Sequence, residues 1–328
     1  MSNPRFSIVI PTRNRHNTLK FALLTCLNQN FDDYEIIVCD NCSSPETRET
    51  VMSFESEKIK YIRSDRPLAM SHNWELAVSQ AKGEFVTLIG DDDGLLLNAL
   101  SKIDQLIKIL GVKALHWEWV NYHWPDIPTG NWLNIPLVRK NRILKSSTVI
   151  PNVANCRMSV FDSLPMIYNS AIHRDLINQL KERTGRVFSA LAPDVYSGFA
   201  FAYLAQSYAC IGLPLGVAGK SSDSAGQATL WSKNNSNALE FSKLNAEANL
   251  GYCHHIPDIP VLPVFVADSF QRAKDNLFPY DKEININRKR FILNCITQLR
   301  ERVFAGVESE EDLRMHLSTI NALSLIHI

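Results

Sequence analysis

Three consecutive carboxylates, Asp91, Asp92 and Asp93, are the residues of this 328-residue chain whose types and spacing most clearly indicate chemistry. They follow an apolar run over residues 85–89 and have a glycine on either side. Adjacent carboxylates repel one another, so a folded protein keeps them together where positive charge compensates them. Oxygen ligands of this kind suit Mg²⁺ or Mn²⁺, often together with the phosphates of a substrate. We therefore predict a divalent-metal site, with a solvated acidic turn as the alternative.

Two further polar clusters also come directly after apolar runs. The run over residues 6–10 leads into Pro11, Thr12, Arg13 and Arg15, and the run over residues 34–39 leads into Asp40. Ligands of open α/β sheets bind at the carboxyl ends of strands, so we expect the three clusters to lie at one edge. Arginines there could hold a diphosphate, and a carboxylate could accept hydrogen bonds from a base or ribose. A strand-end aspartate is also a common turn former, so the prediction depends on the three clusters together.

Asp194 is the candidate for acid–base chemistry. It follows Pro193 at the start of a predicted apolar helix over residues 195–205. A carboxylate at the head of a buried helix that faces a cleft could act as a general base. The same residue could instead serve as a helix cap without any chemical role. The sequence leaves both interpretations open.

The elements that must position these residues are clearest in the first 110 residues. Apolar runs of strand length alternate four times with segments of helical spacing. This alternation predicts a parallel sheet with right-handed crossovers. The last predicted helix of this part covers residues 95–110 and ends at Gly111. The two common glycine-rich phosphate loops, Gly-x-Gly-x-x-Gly and Gly-x-x-x-x-Gly-Lys-Ser/Thr, are absent from the sequence, so a metal ion would have to hold any phosphates.

The remaining two thirds of the chain carry weaker signals. Residues 114–124 are typical of an aromatic strand, in which Trp117, Trp119 and Trp124 form either a wall for stacking sugars or part of the core. The most apolar window, residues 199–219, is interrupted by a proline and three glycines, which favours a buried helix followed by a strand over a membrane span. The polar segment 220–227 is long enough for a lid on the acceptor side. From residue 238 onward the pattern is mostly helical.

Composition limits the classes of function. Lys plus Arg and Asp plus Glu both total 34, so the formal net charge is zero and a general nucleic-acid binder is disfavoured. Seven cysteines without the spacing of a disulfide framework, and no visible secretory signal, indicate a reducing, cytoplasmic location. Cys39-x-x-Cys42 has no second pair and Cys253-His254-His255 is isolated, so we do not predict a zinc site.

Three segments together resemble the family 2 glycosyltransferases of the GT-A fold. They are Ser-Ile-Val-Ile-Pro-Thr-Arg-Asn-Arg at 7–15, Ile-Ile-Val-Cys-Asp-Asn at 36–41 and Ala-Lys-Gly-Glu-Phe-Val-Thr-Leu-Ile-Gly-Asp-Asp-Asp at 81–93. The resemblance covers the first 110 residues well and continues more weakly to about residue 230. It implies a mixed, mostly parallel, Rossmann-like α/β sheet flanked by helices. It also implies a catalytic domain over residues 1–235, divided into a nucleotide-binding half (1–110) and an acceptor half (111–235), and a mostly helical C-terminal appendage (236–328).

The resemblance further implies an inverting transfer of a sugar from a nucleoside-diphosphate donor, with a UDP-sugar favoured. The acceptor would be a hydroxyl of a saccharide or of a lipid-linked oligosaccharide, as in the synthesis of surface polysaccharides, and Mn²⁺ or Mg²⁺ would be the cofactor. The sequence leaves open a homo-oligomer and a peripheral association with the inner face of a membrane.

The roles of individual residues are implied in the same way. Asp92 or Asp93 would ligate the metal, and Asp194 would be the catalytic base. The donor would be bound by Pro11, Thr12, Arg13, Arg15, Asp40, Asn73 and Asp91, with Asp40 on the base and Asp91 nearest the ribose. The chain departs from the family pattern at two positions. Gly90 stands where many members have the first aspartate of the motif, and Pro193 replaces the acidic neighbour of the base.

Two other functions compete with this interpretation. A nucleotidyltransferase that makes nucleotide sugars would carry a glycine-rich, arginine-containing loop after the first strand, and that loop here has no glycine. A non-catalytic relative that binds nucleotides or carbohydrates would have lost the metal-binding or base residues, which are present here. A processive polymer synthase would need membrane-spanning segments, and no candidate span is visible.

Overall fold

The computed structural model describes residues 3–127, 130–224, 230 and 236–325, without the side chains of 321–325. The N-terminal part of the chain alternates strands with helices. Its elements are β1 (Phe6–Thr12), α1 (His16–Leu27), β2 (Tyr34–Asp40), α2 (Pro45–Met52), β3 (Ile59–Arg63), α3 (Met70–Ser79), β4 (Phe85–Leu88), β5 (Gly94–Leu95) and α4 (Ala99–Leu110). The first four strands pair in parallel in the order β3–β2–β1–β4. The parallel sheet expected from the alternation is confirmed.

The middle of the chain extends this sheet and makes it mixed. Its elements are β6 (Ala114–His123), β7 (Trp132–Asn134), β8 (Arg142–Lys145), α5 (Ser146–Ala154), β9 (Ser170–His173), α6 (Arg174–Thr184), α7 (Pro193–Ala205) and β10 (Ser207–Lys220). The full strand order is β3–β2–β1–β4–β9–β6–β10–β5, with β7 paired to β6 and β8 to β10. The apolar window 199–219 divides between α7 and β10, as predicted. Among the described residues, no helix has the length and apolar character needed to cross a bilayer.

In the part of the chain that the structure describes, the sheet is followed by helices α8 (Ser236–Glu247), α9 (Leu262–Leu277), α10 (Arg288–Phe304) and α11 (Glu310–Leu325). Helix α9 packs on α7, where the rings of Phe199 and Phe270 meet edge to face at 5.5 Å. Pro263 lies in the first turn of α9, a position where the missing N–H costs nothing. Residues of α9, α10 and α11 also form a small core of their own. The C-terminal helices are therefore partly joined to the sheet domain and partly self-supporting.

The core explains why apolar residues on both faces dominate β1, β2 and β4. Val9 and Ile37 point to the face covered by α3, α7 and α9, whereas Ile8, Ile36 and Val38 point to the face covered by α1 and α4. Successive side chains of a strand alternate between faces, so a sheet with helices on both sides needs continuous apolar runs. This double burial fixes where the strands end, and the strand ends carry the polar clusters.

Helix α4 begins four residues later than the amphipathic pattern predicts. Residues 94 and 95 form the short strand β5, which pairs antiparallel with Gly216 and Val217 of β10. The backbone N–H of Leu95 also donates to Thr25 Oγ1 at 3.1 Å. Tertiary pairing therefore overrides local helical spacing here. The C-terminal end is as predicted, because Gly111 adopts the left-handed conformation (φ 61°) that closes the helix.

His116 gives a test of the buried sheet. It lies in β6, paired with Ser170 of β9, and burial lowers its pKa from 6.5 to about 4. The folded state thus holds this imidazole neutral while the unfolded chain protonates it, so stability should fall as pH drops from 6.5 towards 4, by up to roughly 1.4 kcal/mol per pH unit. Urea unfolding at several pH values measures this, and His116→Gln should show a shallower slope. An unchanged slope in the variant would exclude His116 as the source.

Candidate active site

A cleft of about 640 Å³ lies at the carboxyl ends of β1, β2 and β4, within the range of pockets that take small ligands. Eight of the predicted site residues line it: Pro11, Thr12, Arg13, Arg15, Asn73, Asp91, Asp92 and Asp194. The other two predicted residues, Asp40 and Asp93, lie behind its wall. The sheet thus brings together the polar groups that follow β1 and β4, as the strand-end argument predicts, and Asp194 joins them from the start of α7.

The positive group beside the three carboxylates is Arg15. Its Nη1 lies 2.6 Å from Asp91 Oδ1 and its Nη2 lies 2.5 Å from Asp92 Oδ2. Thr12 Oγ1 donates to Asp91 Oδ2 at 2.6 Å, and Ser221 Oγ donates to Asp92 Oδ2 at 2.7 Å. These donors come from β1, the β1–α1 turn and the end of β10. Both cleft-facing carboxylates are therefore held by protein groups from other elements.

Asp93 points away from the cleft and connects the turn after β4 to the end of β10. Its Oδ2 accepts from the backbone N–H of Gly90 and its Oδ1 from that of Gly219, both at 2.8 Å. The Tyr168 hydroxyl also bonds to this carboxylate. A side chain at Gly219 would place Cβ 1.7 Å from the Asp92 carbonyl oxygen, so this close approach of β10 requires glycine. The geometry gives Asp93 a supporting position and leaves Asp92 in the cleft.

Charge in this cluster is unbalanced. The three carboxyl side chains belong to residues that are 2, 4 and 5% exposed, and Arg15 is their one guanidinium partner among the described ion pairs. Burial, followed by the charge of neighbouring Asp92, raises the pKa of Asp93 to about 7. Burial also raises the pKa of Asp91 to about 6, although Arg15 opposes the shift. An oxygen-only cluster short of positive charge suits a hard divalent cation.

The protein supplies part of such a coordination shell. Within the described residues, no group of three or more His, Cys, Asp or Glu side chains is arranged to hold a metal ion. A Mg²⁺-type site often uses one or two carboxylates and completes its octahedron with water and substrate phosphate. Asp91 and Asp92 at the cleft wall fit that kind of incomplete site.

Asp40 lies fully buried at the end of β2. Its Oδ1 accepts from the backbone N–H of Ser43 at 2.8 Å, and its Oδ2 accepts from the Tyr61 hydroxyl at 2.5 Å. Arg63 Nε is 3.6 Å from the same Oδ2. The neighbouring Asn41 lines the cleft, and Asp40 does not. The carboxylate thus forms the turn that presents Asn41, and its contact with a base stays a prediction.

Helix α8 reaches onto the cleft from the C-terminal region. Glu240 forms two bonds with Arg13, to Nε at 3.0 Å and to Nη2, while Arg13 Nη1 donates to the Asn41 carbonyl at 2.5 Å. Apolar side chains of α8 and α9 continue this wall, namely Phe241, Leu244, Leu262 and Phe265. The domain boundary at residue 235 stays a prediction, but residues beyond it help to build the cleft.

Asp194 lies at the start of α7, as predicted, and its role as a general base stays a prediction. It is the second residue of the helix, after the N-cap position at Ala192, and the backbone N–H groups of Val195 and of Asp194 itself bond to its carboxylate. It also lines the same cleft as Asp91 and Asp92. Burial raises its pKa above the ordinary value, a shift that brings a carboxylate closer to the range useful for a general base.

The sequence left two positions open for the three tryptophans of segment 114–124, a sugar-stacking wall or the core, and the structure does not place them on the cleft wall. Trp117 is fully buried in the core, and Trp124 Nε1 donates to the Asp92 carbonyl at 3.0 Å. The described residues that line the cleft include Trp74 and Tyr168, whose rings stack at 6.0 Å, and none of the three tryptophans singled out in the sequence. Trp119 packs behind this stack, 5.7 Å from the Tyr168 ring.

Several site residues carried no signal in the sequence. Tyr168 sits in a short 3₁₀ turn before β9, with no charge or spacing to mark it. Glu240 and Phe241 belong to a helix that the pattern separated from the site. Ser221 opens the polar segment predicted as an acceptor-side lid, yet its hydroxyl bonds to Asp92 and Arg15. Residues 225–227 of that predicted lid lie outside the described residues.

Comparison with known proteins agrees with this geometry. Residues 7–156 match the family model described as Glycosyl transferase family 2. A Campylobacter jejuni GalNAc(5)-diNAcBac-PP-undecaprenol beta-1,3-glucosyltransferase is 39% identical over 105 residues, which are 31% of this chain and 34% of that protein. The Escherichia coli UDP-Glc:alpha-D-GlcNAc-diphosphoundecaprenol beta-1,3-glucosyltransferase WfgD is 28% identical over 103 residues, 31% of this chain and 41% of that protein. Each match thus spans less than half the length of the relative.

The fold has a counterpart among solved structures. The crystal structure of residues 1–349 of Staphylococcus aureus TarS in complex with UDP-GlcNAc matches with a TM-score of 0.54 at 15% identity, covering 93% of this chain and 82% of that chain. The likeness extends over the sheet and the C-terminal helices. It confirms the GT-A type of fold expected from the sequence.

Arg15 should be essential for stability, because breaking a buried pair leaves uncompensated charge. We expect Arg15→Met to cost about 3–5 kcal/mol of unfolding free energy, measured by urea titration. Added Mn²⁺ should restore part of the loss, since a cation replaces the missing charge. The matched variant is Arg13→Met. Because the partner of Arg13, Glu240, is 41% exposed, loss of this ion pair should lower the unfolding free energy by no more than about 1 kcal/mol. Equal stability of the two variants would contradict this role of Arg15.

Proposed function

We propose that this chain, whose residues 7–156 match the family model of glycosyl transferase family 2, is an inverting glycosyltransferase of that family. It takes a sugar from a UDP-sugar and transfers it to a hydroxyl of a saccharide or lipid-linked acceptor. One observation carries the proposal: Asp91 and Asp92 of the acidic cluster and the distant Asp194 line one cleft of about 640 Å³. A donor with a diphosphate and an acceptor with a hydroxyl need these two chemistries in one space.

The donor end of the cleft is polar and partly basic. Thr12, Arg13, Asn41 and Asn73 line it beside Asp91. Amide and hydroxyl groups suit the edges of a base and the hydroxyls of a ribose, and a guanidinium suits a phosphate. The Escherichia coli relative uses UDP-Glc by its name, which makes a UDP-sugar the first donor to test.

Asp92, with Asp91 beside it, would hold a divalent cation at the donor site. When bound, it neutralises the charge that the departing nucleoside diphosphate gains. Asp92 is preferred over Asp93 because Asp92 faces the cleft, whereas both oxygens of Asp93 accept backbone N–H groups. Asp93 then keeps Gly90 and Gly219 in place so that the cleft-facing carboxylates stay aligned.

Asp194 acts as the general base. The acceptor hydroxyl is a poor nucleophile, so a carboxylate within hydrogen-bond reach must take its proton as the new bond forms. The acceptor oxygen bonds to the anomeric carbon while the bond from that carbon to the diphosphate oxygen breaks, and the proton passes to Asp194. Attack from the face opposite the diphosphate inverts the anomeric configuration.

The acceptor side of the cleft is apolar. Leu244, Leu262 and Phe265 form a wall from α8 and α9, together with Leu191 and Val195 near the base. Such a wall suits the carbon face of a sugar ring or an aglycone with apolar character. Both curated relatives carry undecaprenol in their names, which supports a lipid-linked acceptor.

Calorimetric titration with UDP tests the donor site. We expect binding in Mn²⁺ that EDTA abolishes, and a loss of more than about tenfold in the metal-dependent affinity of Asp92→Asn. Asp93→Asn is the matched variant, and it should reduce stability more than metal dependence. The reverse order would overturn the assignment of Asp92. Metal-dependent binding of GDP in place of UDP would keep the enzyme class and change the donor, whereas no binding of either would favour a non-catalytic relative.

Replacement of the base tests the chemistry separately. Asp194→Asn should bind UDP as tightly as the unchanged chain but lose turnover by about 10²–10⁴-fold in a sugar-transfer assay with saturating donor. The control is Asp223→Asn, a second carboxyl that lines the same cleft and bonds to Asn237. Full activity of Asp194→Asn together with loss in Asp223→Asn would move the base to residue 223.

A further inference from the structure

A segment at the edge of the sheet exposes a dense set of apolar side chains. We name residues 131–145 the apolar–basic hairpin; it consists of β7, the connection 135–141 and β8. Its exposed large apolar residues are Trp132, Leu133, Ile135, Leu137, Val138 and Ile143. Leu137 is 87% exposed and Val138 is 68% exposed. Contiguous exposed apolar surface of this kind marks an interaction site.

Charge on the same segment has one sign. The hairpin contains Arg139, Lys140, Arg142 and Lys145, all exposed, and the sequence has no Asp or Glu from residue 127 to residue 161. The nearest acidic contact is Glu118, whose Oε1 is 3.7 Å from Arg139 Nη1. Because the whole chain has a formal net charge of zero, this is a local excess of positive charge.

The backbone of the hairpin is held in place by the sheet. Strand β7 pairs with the end of β6, and β8 pairs with the start of β10. Between them, the backbone N–H of Arg139 donates to the Gly212 carbonyl at 2.8 Å. A Cβ at Gly212 would lie 2.3 Å from the Arg139 carbonyl oxygen, so the sheet is shaped for this contact. The exposed side chains therefore project from an anchored scaffold.

One end of the hairpin lies beside the active site. Trp132 pairs with His123, the last residue of β6, and the residue that follows the strand, Trp124, donates its indole N–H to the Asp92 carbonyl at 3.0 Å. A large body that contacts the hairpin would thus lie next to the cleft edge.

We propose that the apolar–basic hairpin docks this chain on the surface of an anionic lipid bilayer. Its apolar side chains insert at the boundary between the headgroups and the acyl chains, and its arginines and lysines bind anionic headgroups. Membrane-surface segments combine these two features, with tryptophan at the boundary. A second copy docked through a two-fold axis would place the same basic residues against each other, which disfavours a self-contact. This docking goes beyond the proposed transfer reaction and holds for any donor sugar.

Vesicle flotation of the full chain tests the docking. We expect flotation with vesicles of phosphatidylcholine plus phosphatidylglycerol, little with phosphatidylcholine alone, and release by added NaCl. The double variant Leu137→Ser/Val138→Ser should lose most flotation. Arg139→Gln/Lys140→Gln should weaken it by roughly fivefold per charge removed.

The matched control is Leu293→Ser/Phe304→Ser on α10, where the two side chains are 61% and 97% exposed. This pair should float like the unchanged chain. UDP titration and thermal unfolding of every variant separate a failure of docking from a failure of folding or of the proposed reaction. Three results would overturn the proposal: loss of flotation in the α10 pair with retention in the hairpin pair, equal binding to neutral vesicles, or self-association in sedimentation that Leu137→Ser/Val138→Ser abolishes.

Discussion

Burial of three adjacent carboxylates is the constraint on which the rest of the structure depends. Removal of one such charge from water costs several kcal/mol unless donors or opposite charges replace the lost hydration. The replacements here come from distant parts of the chain: Thr12 and Arg15, Tyr168, and Gly219 with Ser221. Strands β1, β4 and β10 must end at the same place for these groups to meet. The acidic cluster can therefore be buried only where these strands end together, and the ends of the strands supply its donors.

The sheet edge could be predicted from the sequence because residues close together in the chain determine where each strand ends. Apolar runs that end in polar residues identify strands and their ends, and parallel pairing brings those ends together. The same reasoning found six predicted residues of the cleft wall, namely Pro11, Thr12, Arg13, Arg15, Asp91 and Asp92, whereas Asn73 came from the family resemblance and Asp194 from the start of a predicted helix. It could not distinguish the orientations of Asp92 and Asp93, because that difference depends on a glycine of β10 some 126 positions away. Nor could it find Tyr168 or Glu240, whose positions follow from packing of whole elements.

The C-terminal helices show that a change of sequence pattern does not by itself separate two structural units. The pattern after residue 235 changes from mixed to helical, which favours a separate appendage. In the structure, α9 buries Phe270 against Phe199 of α7, and α8 brings Glu240 to Arg13. Apolar faces of these helices need a partner, and the sheet domain offers one beside its cleft. This wall of the cleft is thus built from residues that the sequence assigned to another unit.

The two arginines of the cleft form ion pairs of different strength. This difference sets the order in which the pairs would break when a donor enters. Arg13 is 22% exposed and its partner Glu240 is 41% exposed, so that ion pair contributes no more than about 1 kcal/mol. Arg15 bonds to carboxylates that are 3 and 4% exposed, and breaking such buried pairs costs about 3–5 kcal/mol. In the proposed reaction, a diphosphate in the cleft would draw Arg13 away from Glu240 at little cost, while Arg15 would stay on Asp91 and Asp92. The Arg13–Glu240 pair is thus a contact of α8 with the cleft that costs little to break, whereas the Arg15 pairs hold the acidic cluster together.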